Sequence, residues 1–401
     1  MKLAKRLEAV KPSPTLAITA KAKELKAKGV DVVGFGAGEP DFDTPSMIKD
    51  AAKKAIDAGF TKYTPTNGIP ELRDAIAAQI AKDHDGLAYK PTEVLVSCGG
   101  KHALYNLFQA LLNEGDEVVI FTPYWVSYAD MVRVAGGVPV LVETTMDTGF
   151  DPTPEQIRKA VGPRTRAIVV NSPSNPTGAM LSRRTLETVI EVAKGKDILI
   201  VTDDIYDKLV YKGRFENVLD IDRSIQGQVA LVSGASKTFS MTGWRVGWTA
   251  GPQALVSAMQ KLQDNSTSNC TSIAQKAALA ALTLPGVDEE VEKMRRTFDD
   301  RRRHIVGRLN AIPGIRCFDP SGAFYAFPYV GDLLKRKAPG QGEPLGTDDR
   351  FIAHLLDVHR VAAVPGSAFG APGYMRLSFA TSMEQIDKGC DRIAEMAKSL
   401  A

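Results

Sequence analysis

The sequence predicts an α/β fold built on a mostly parallel sheet in a large domain, with a smaller α+β domain after it. Three observations carry that expectation. Between residues 90 and 251 one rhythm recurs: a short β-branched run, a turn rich in Gly, Pro, Ser or Asn, then a helical pattern. Such a rhythm marks consecutive βαβ units. The apolar runs at 94–97, 118–122, 138–142, 167–170, 198–202 and 229–233 are nearly unbroken, as strands covered on both faces must be. After Pro285 the rhythm gives way to a long charged helix and short strands around 323–327, 361–364 and 374–379.

The elements follow in order. The first forty residues end in Gly34-Phe-Gly-Ala-Gly38 and are expected to form an arm or a few strands against the second domain. Helical spacing covers 103–112, 154–161 and 183–193, the last opened by Ser182 as an N-cap. A further helix is expected over 348–358, and 337–346, with three glycines and two prolines, is a surface loop. At 401 residues the chain suits two domains. The expected division is 1–45 for the arm and part of the small domain, 46–290 for the large domain and 291–401 for the small one.

Composition excludes several classes. Apolar residues are 44% and charged residues 24%, ordinary for a chain that folds. The 50 basic and 47 acidic residues are mixed along the sequence, so no polyanion footprint and no nucleic-acid partner is expected. The basic run 295–303 reads as a solvated helix face. Four separated cysteines form no C-x-x-C pair, which fits a reducing, cytoplasmic setting. The N-terminal residues contain no secretory h-region, and no apolar run approaches the ~20 residues of a membrane span. Five scattered histidines lack zinc-helix spacing, so no metal is expected.

Open parallel sheets bind ligands beyond the carboxyl ends of their strands, and the residues there are polar and varied. After the first run come Gly99, Gly100 and Lys101 and then a helix, a ready site for an anion. After 167–170 comes Asn171-Ser-Pro-Ser-Asn175-Pro-Thr-Gly178, and after 198–202 come Asp203 and Tyr206. A carboxylate leaving a dry strand calls for a cationic partner. After 229–233 comes Gly234-Ala-Ser236-Lys237, then Met241-Thr-Gly-Trp-Arg245-Val-Gly-Trp248. Desolvation pushes a lysine toward its neutral, nucleophilic amine, as Schiff-base chemistry requires. Each residue alone has a bland explanation as cap, turn former or surface charge. An anion cradle, a carboxylate, a phenol, an amide and an amine on adjacent strand ends together suit pyridoxal phosphate.

Ser-Pro-x-Asn-Pro-Thr-Gly, Asp-x-Ile-Tyr and Ser-Lys-x-Phe-x-Met-x-Gly-Trp-Arg, in this order, resemble the class I/II, fold type I aminotransferases. The likeness extends to Gly38-Glu-Pro-Asp-Phe, to Tyr63 with Asn67-Gly68-Ile-Pro-Glu-Leu-Arg73, to Pro123-Tyr-Trp125, and to Arg376-Leu-Ser. It implies that residues 46–290 bind pyridoxal 5'-phosphate and that Lys237 is the Schiff-base lysine and proton shuttle. By the same resemblance Asp203 keeps the pyridinium nitrogen protonated, Asn175 and Tyr206 donate to the phenolic oxygen, and Trp125 stacks on the ring. Gly100, Lys101, Ser236 and Arg245 form the phosphate cradle. Tyr63 reaches the phosphate of a neighbouring subunit, which implies a homodimer. Arg376 grips the substrate α-carboxylate, with Gly38, Trp125 and Asn175 beside it. One departure is Gly234, where many relatives have serine, so that a phosphate hydroxyl is missing or comes from Ser233 or Ser236.

Within the family, Lys11-Pro-Ser13-Pro-Thr15, Gly-Gly-Lys at 99–101 and Pro-Tyr-Trp-Val-Ser-Tyr resemble the bacterial subgroup Ib aspartate aminotransferases. That subgroup holds the distal carboxylate of aspartate or glutamate with residues matching Lys101, Ser13 and Thr15. A lysine at position 11 goes with prephenate transamination in some members, which stands as the alternative or a second activity; alanine or aromatic amino acids are a third option. Gly34-x-Gly36-x-Gly38 is no dinucleotide fingerprint, because Glu-Pro-Asp and not a helix follows it. A non-catalytic relative would have lost Lys237, Asp203 or Arg376, and all three are present.

Overall fold

In the computed structural model residues 1, 3–8, 10 and 14–401 are described, the side chains of 14–16 excepted. Twelve strands run through the described residues: β1 Val33–Gly34, β2 Val94–Ser97, β3 Glu117–Phe121, β4 Val138–Val142, β5 Thr165–Asn171, β6 Leu199–Asp203, β7 Val229–Gly234, β8 Gly247–Ala250, β9 Tyr325–Ala326, β10 Val361–Ala362, β11 Val364–Pro365 and β12 Met375–Ser378. Seven form one sheet in the order β2-β8-β7-β6-β5-β3-β4. From β7 to β4 every pairing is parallel. All six apolar runs are strands of this sheet, with ends shifted by no more than two residues.

Side chains alternate along these strands, so each face meets its own helix layer. Leu95, Ile120, Val169, Val201 and Val232 pack with Leu104, Leu107 and Phe108 of the helix Gly100–Leu111 and with Val256 and Met259. Val96, Val119, Ile168, Ile200 and Leu231 face the other way, toward Ile76, Leu186 and Val189 and toward the alanines of the helix Ser272–Thr283. Each such side chain, fully buried, contributes about 1.5–3 kcal/mol relative to exposure. The helix Arg183–Ala193 begins where expected, with the Ser182 hydroxyl accepting from the Thr185 amide.

β8 was not expected. It lies antiparallel between β2 and β7, and its four residues, Gly-Trp-Thr-Ala, are too few and too mixed to show a period. Gly247 permits its position: a Cβ there would come within 2.3 Å of the Gly100 nitrogen.

The smaller sheets lie elsewhere in the sequence. β11, β12 and β9 form an antiparallel trio, and β1 pairs in parallel with β10, Val33 opposite Val361. The N-terminal expectation is corrected in part. The longest element of that segment is the 14-residue helix Pro14–Ala27, rich in alanine, lysine and leucine, which are strong helix formers, and only two of its described residues form a strand. Ala22 and Val32 do pack on Leu356 and Ala362.

The basic run 295–303 is also corrected. It belongs to the helix Val287–Asn310, and Arg301 and Arg302 are buried. They share the i, i+3, i+4, i+7 face of Phe298 and Ile305, so they ride on the inner side. Arg301 makes a bidentate pair with Asp41 at 2.7 and 2.9 Å, and Arg302 binds Asp299 and Asp319. Of the run, Arg296, Asp300 and Arg303 face water.

Candidate active site

The carboxyl ends of β5, β6 and β7 and the turn after β2 open on one cavity of about 350 Å³. Eleven residues singled out from the sequence line it: Gly38, Gly100, Lys101, Trp125, Asn175, Asp203, Tyr206, Ser236, Lys237, Arg245 and Arg376. Tyr63 does not, and its side chain is 90% exposed. Lys11 and Ser13 lie outside the described residues, as does the side chain of Thr15.

One end of the cavity is an anion cradle. Gly99 takes φ +91°, open to glycine, and Gly100 begins a helix whose first amides have no partner within it. A Cβ on Gly99 would sit 2.4 Å from Arg245 Nη2, so the guanidinium lies directly over the bare α-carbon. Arg245 is fixed by Nη1 donating to the Thr242 carbonyl at 2.7 Å. Lys101 Nζ stands 4.9 Å from the centre of the Trp125 ring, and burial, then Arg245, lowers its pKa. Two neighbouring cations at a helix N-terminus suit a phosphoryl group. A side chain at 234 would meet the Val246 carbonyl oxygen at 2.9 Å, Ser233 turns to the opposite face of the sheet, and Ser236 lines the cavity.

In the middle, Lys237 Nζ donates to the Gly38 carbonyl at 2.5 Å. Burial lowers its pKa to about 8, opposed by Glu39 and reinforced by Arg376 and Arg245. A useful fraction is therefore the free amine near neutral pH. Asp203 is buried at the end of β6, and burial raises its pKa to about 6 against a hydrogen bond donated by the Tyr128 hydroxyl. Among protein side chains the hydrogen-bond partner of this carboxylate is the buried Tyr128 hydroxyl, and Lys237 acts on it through its charge.

At the other end, Arg376 is 2% exposed between the rings of Tyr325 and Phe369, at 4.6 and 5.0 Å. Nη1 donates to Asn175 Oδ1 and Nη2 to the Gly36 carbonyl, both at 2.9 Å, while Nε is buried without a partner. A Cβ on Gly38 would lie 3.9 Å from both η nitrogens, so its absence leaves room beside the guanidinium. Tyr206 shares a 2.8 Å hydrogen bond with the Tyr325 hydroxyl.

Sequence reasoning missed Tyr128, Tyr325 and Asn171. Asn171 donates to the Asp203 carbonyl at 2.9 Å and accepts from the Asn175 amide at 3.1 Å, tying that loop to β6. Its signal was available, a polar residue closing an apolar strand. Tyr128, three residues beyond Trp125, and Tyr325, inside an aromatic run, look like core residues until their hydroxyls are placed.

Behind the sheet is a second cavity of about 270 Å³, lined among others by His84, Asp204, Asp207, Ser233 and Trp248. Asp204 is 3% exposed and accepts from Asn217 Nδ2 at 2.7 Å and from the Thr202 hydroxyl at 3.1 Å. Burial pushes its carboxyl up to about 8. Among the described residues no cluster of three or more His, Cys, Asp or Glu is placed to hold a metal ion, and no helix is long and apolar enough to cross a membrane.

Residues 30–393 match the family described as Aminotransferase class I and II. The chain is 50% identical, over all of both chains, to an aspartate aminotransferase of Geobacillus stearothermophilus. It is 47% identical, over 99% of itself and 100% of the relative, to an aspartate/prephenate aminotransferase of Nitrosomonas europaea. The crystal structure of the aspartate aminotransferase from Rhizobium meliloti matches with TM-score 0.95 and 40% identity, over 100% of both chains. That of the Thermus thermophilus aspartate aminotransferase with maleate matches with TM-score 0.92 and 44% identity, over 99% of this chain and 100% of that one.

Proposed function

The chain belongs to the class I and II aminotransferases, enzymes that depend on pyridoxal phosphate, and from that premise we propose that it moves the amino group of L-aspartate to 2-oxoglutarate, giving oxaloacetate and L-glutamate. The observation that carries this is one cavity holding a desolvated amine, a buried carboxylate, an anion cradle and a buried guanidinium with a free Nε. The donor set fits the cofactor: the cradle suits its phosphate, Asp203 its ring nitrogen and Lys237 its aldehyde. When bound, the cofactor supplies an electron sink for the substrate's Cα.

The chain's own residues do the rest. Gly100, Lys101, Ser236 and Arg245 hold the phosphate, and Trp125 covers the ring. Tyr128 orients the Asp203 carboxylate, which keeps a proton on the ring nitrogen. Asn175 Oδ1 is engaged by Arg376, so its Nδ2 is free to donate, with the Tyr206 hydroxyl, to the phenolic oxygen. Arg376 binds the α-carboxylate beside Gly38, and burial makes that charge-assisted contact strong. Lys237 Nζ, let go by the Gly38 carbonyl, takes the proton from Cα and returns it on the cofactor side.

Aspartate is favoured because the relatives named above act on it by name and one was solved with maleate, a four-carbon dicarboxylate. Lys101, with Ser13 and Thr15, would hold the distal carboxylate. Prephenate is the second reading, supported by the Nitrosomonas relative and by Lys11. We further infer a cytoplasmic homodimer in which the exposed Tyr63 reaches the partner's phosphate. Residues 46–290 would form the large domain, 291–401 the small one, and 1–45 an arm joined to it.

The test is the absorption spectrum of the reconstituted protein and of Lys237→Ala. A visible band that aspartate bleaches in the wild type alone supports the reading. Repeating this with glutamate, alanine, and prephenate plus an amine donor ranks the substrates. Without any such band after reconstitution, the catalytic reading fails.

A further inference from the structure

The second cavity, behind the sheet, is walled by the helix Pro70–Asp83, by residues that follow β6 and β7, and by the first turns of the helix Val287–Asn310. Most of its charges are already matched. Lys82 Nζ meets Asp288 at 3.1 Å, and Lys208 Nζ meets Asp83. Glu292 accepts from Arg295 and Arg296. His84 is committed through Nδ1 to Asp220 at 2.8 Å.

Two carboxylates in the lining are left over. Asp204, 3% exposed, and half-buried Asp207, one turn further on, form no ion pair among the described residues. Both hydrogen bonds to Asp204, from Thr202 and Asn217, go to Oδ2, so Oδ1 has no donor. The Asp207 side chain accepts only the Lys208 amide, at 2.8 Å. Burial pushes the two carboxyls up, to about 8 and about 6.

Neutral groups in the same wall are unmet as well. Among the described residues neither the Thr238 hydroxyl nor Trp248 Nε1 makes a hydrogen bond, although the two residues are 5% and 6% exposed and line the cavity. Buried polar groups without partners call for an occupant, and unpaired buried carboxylates call for a cation. Phe239, Leu282 and the Trp248 ring make the rest of the wall apolar. The volume of about 270 Å³ equals about nine waters at liquid density. That is too roomy for a bare ion and suits a small organic molecule.

We propose that this cavity binds a small organic amine, whose ammonium group pairs with Asp204 and Asp207 while its apolar body rests on Trp248, Phe239 and Leu282. An anionic ligand would add a third negative charge to two unpaired ones, and a neutral one would leave both uncompensated. The aromatic faces also favour a cation. Asp203 and Asp204 turn to opposite sides of the sheet, so this site is separate from the cavity holding Lys237 and does not rest on the proposed activity.

The probe is N,N-dimethylcyclohexylammonium, whose tertiary nitrogen cannot condense with the aldehyde of pyridoxal phosphate. Isothermal titration calorimetry is run on the full chain at about pH 9, above the pKa of Asp204 and below the ~10.4 of an alkylamine. The cation should bind about tenfold or more tighter than the uncharged 2-cyclohexylpropan-2-ol, the scale of one charge-assisted contact. Asp204→Asn should bring the cation down to the affinity of the alcohol. Asp207→Asn, a second variant should the first not fold, should weaken the cation and leave the alcohol unchanged. Affinity for the cation should be the same with and without pyridoxal phosphate. No binding of the cation, equal affinity for cation and alcohol, or undiminished binding by the folded variants overturns the proposal. So does loss of binding once pyridoxal phosphate is added, which would put the probe in the front cavity. If the chain binds no pyridoxal phosphate, the functional reading falls while the titration still decides this one.

Discussion

At the carboxyl end of β6 the chain sends one aspartate to each side of the sheet. Asp203 enters the cavity that holds Lys237 and takes a hydrogen bond from Tyr128. Asp204 turns to the back, where Thr202 and Asn217 share one of its oxygens. Burial raises the pKa of both, to about 6 in front and about 8 behind. The more perturbed carboxylate is therefore the one whose cavity has no guanidinium and is lined by Lys82, Lys208 and His84 instead. A perturbed pKa marks a costly position, and its neighbours decide whether that position is catalytic.

The largest expected effect breaks the front of this pair. Asp203→Asn keeps the shape and removes the charge, and should slow the half-reaction with aspartate by about 10²–10⁴-fold, the usual range for a catalytic proton contact. Stopped-flow absorbance measures it, and a loss under twofold would deny Asp203 its role. Tyr128→Phe comes next, expected at about tenfold, since the ring stays packed and only a hydrogen bond to a charged group is lost. Its pH profile should also shift upward, because without that donor the Asp203 carboxylate ionises less readily; an unchanged profile would make Tyr128 merely a core residue.

Behind the sheet, Asp204→Asn should leave the half-reaction rate within about twofold and act on stability instead. Between the ordinary 3.8 and about 8, the folded chain keeps a proton that the unfolded chain has lost. Stability therefore falls as pH rises through that window. The substitution removes this contribution, so wild type and variant should melt together in acid and diverge at about pH 9, with the variant more stable by about 1–3 kcal/mol. Calorimetry across pH checks the sign. The smallest effect is Thr202→Val, which removes one donor to Asp204 and should cost about 1 kcal/mol by denaturant titration with no change in rate.

The same strand shows what the sequence made legible. Its apolar run and its two acids were visible, because a strand dry on both faces must be apolar and anything polar at its end stands out. Which acid faced which side followed from period-two alternation only once the strand's last residue was known. Tyr128 and Tyr325 were hidden because an aromatic ring is apolar over most of its surface and only its hydroxyl carries the contact. β8 was hidden by brevity, and the burial of Arg301 and Arg302 by their charge, which masked a regular helical face. Lys11, Ser13 and the side chain of Thr15, the sequence's choice for a distal carboxylate, lie outside the described residues.

The contact of Gly247 with Gly99 and Gly100 has a consequence for how this chain can vary. Main chain touches main chain there, with no flexible side-chain end to give way. The cradle's depth is thus set by two stretches of backbone resting on each other, and neighbouring side chains can be exchanged without moving it. Position 247 itself has no such latitude: even a methyl group would lift the first turn of the following helix from its seat, so drift in sequence should pass around this glycine and leave it in place.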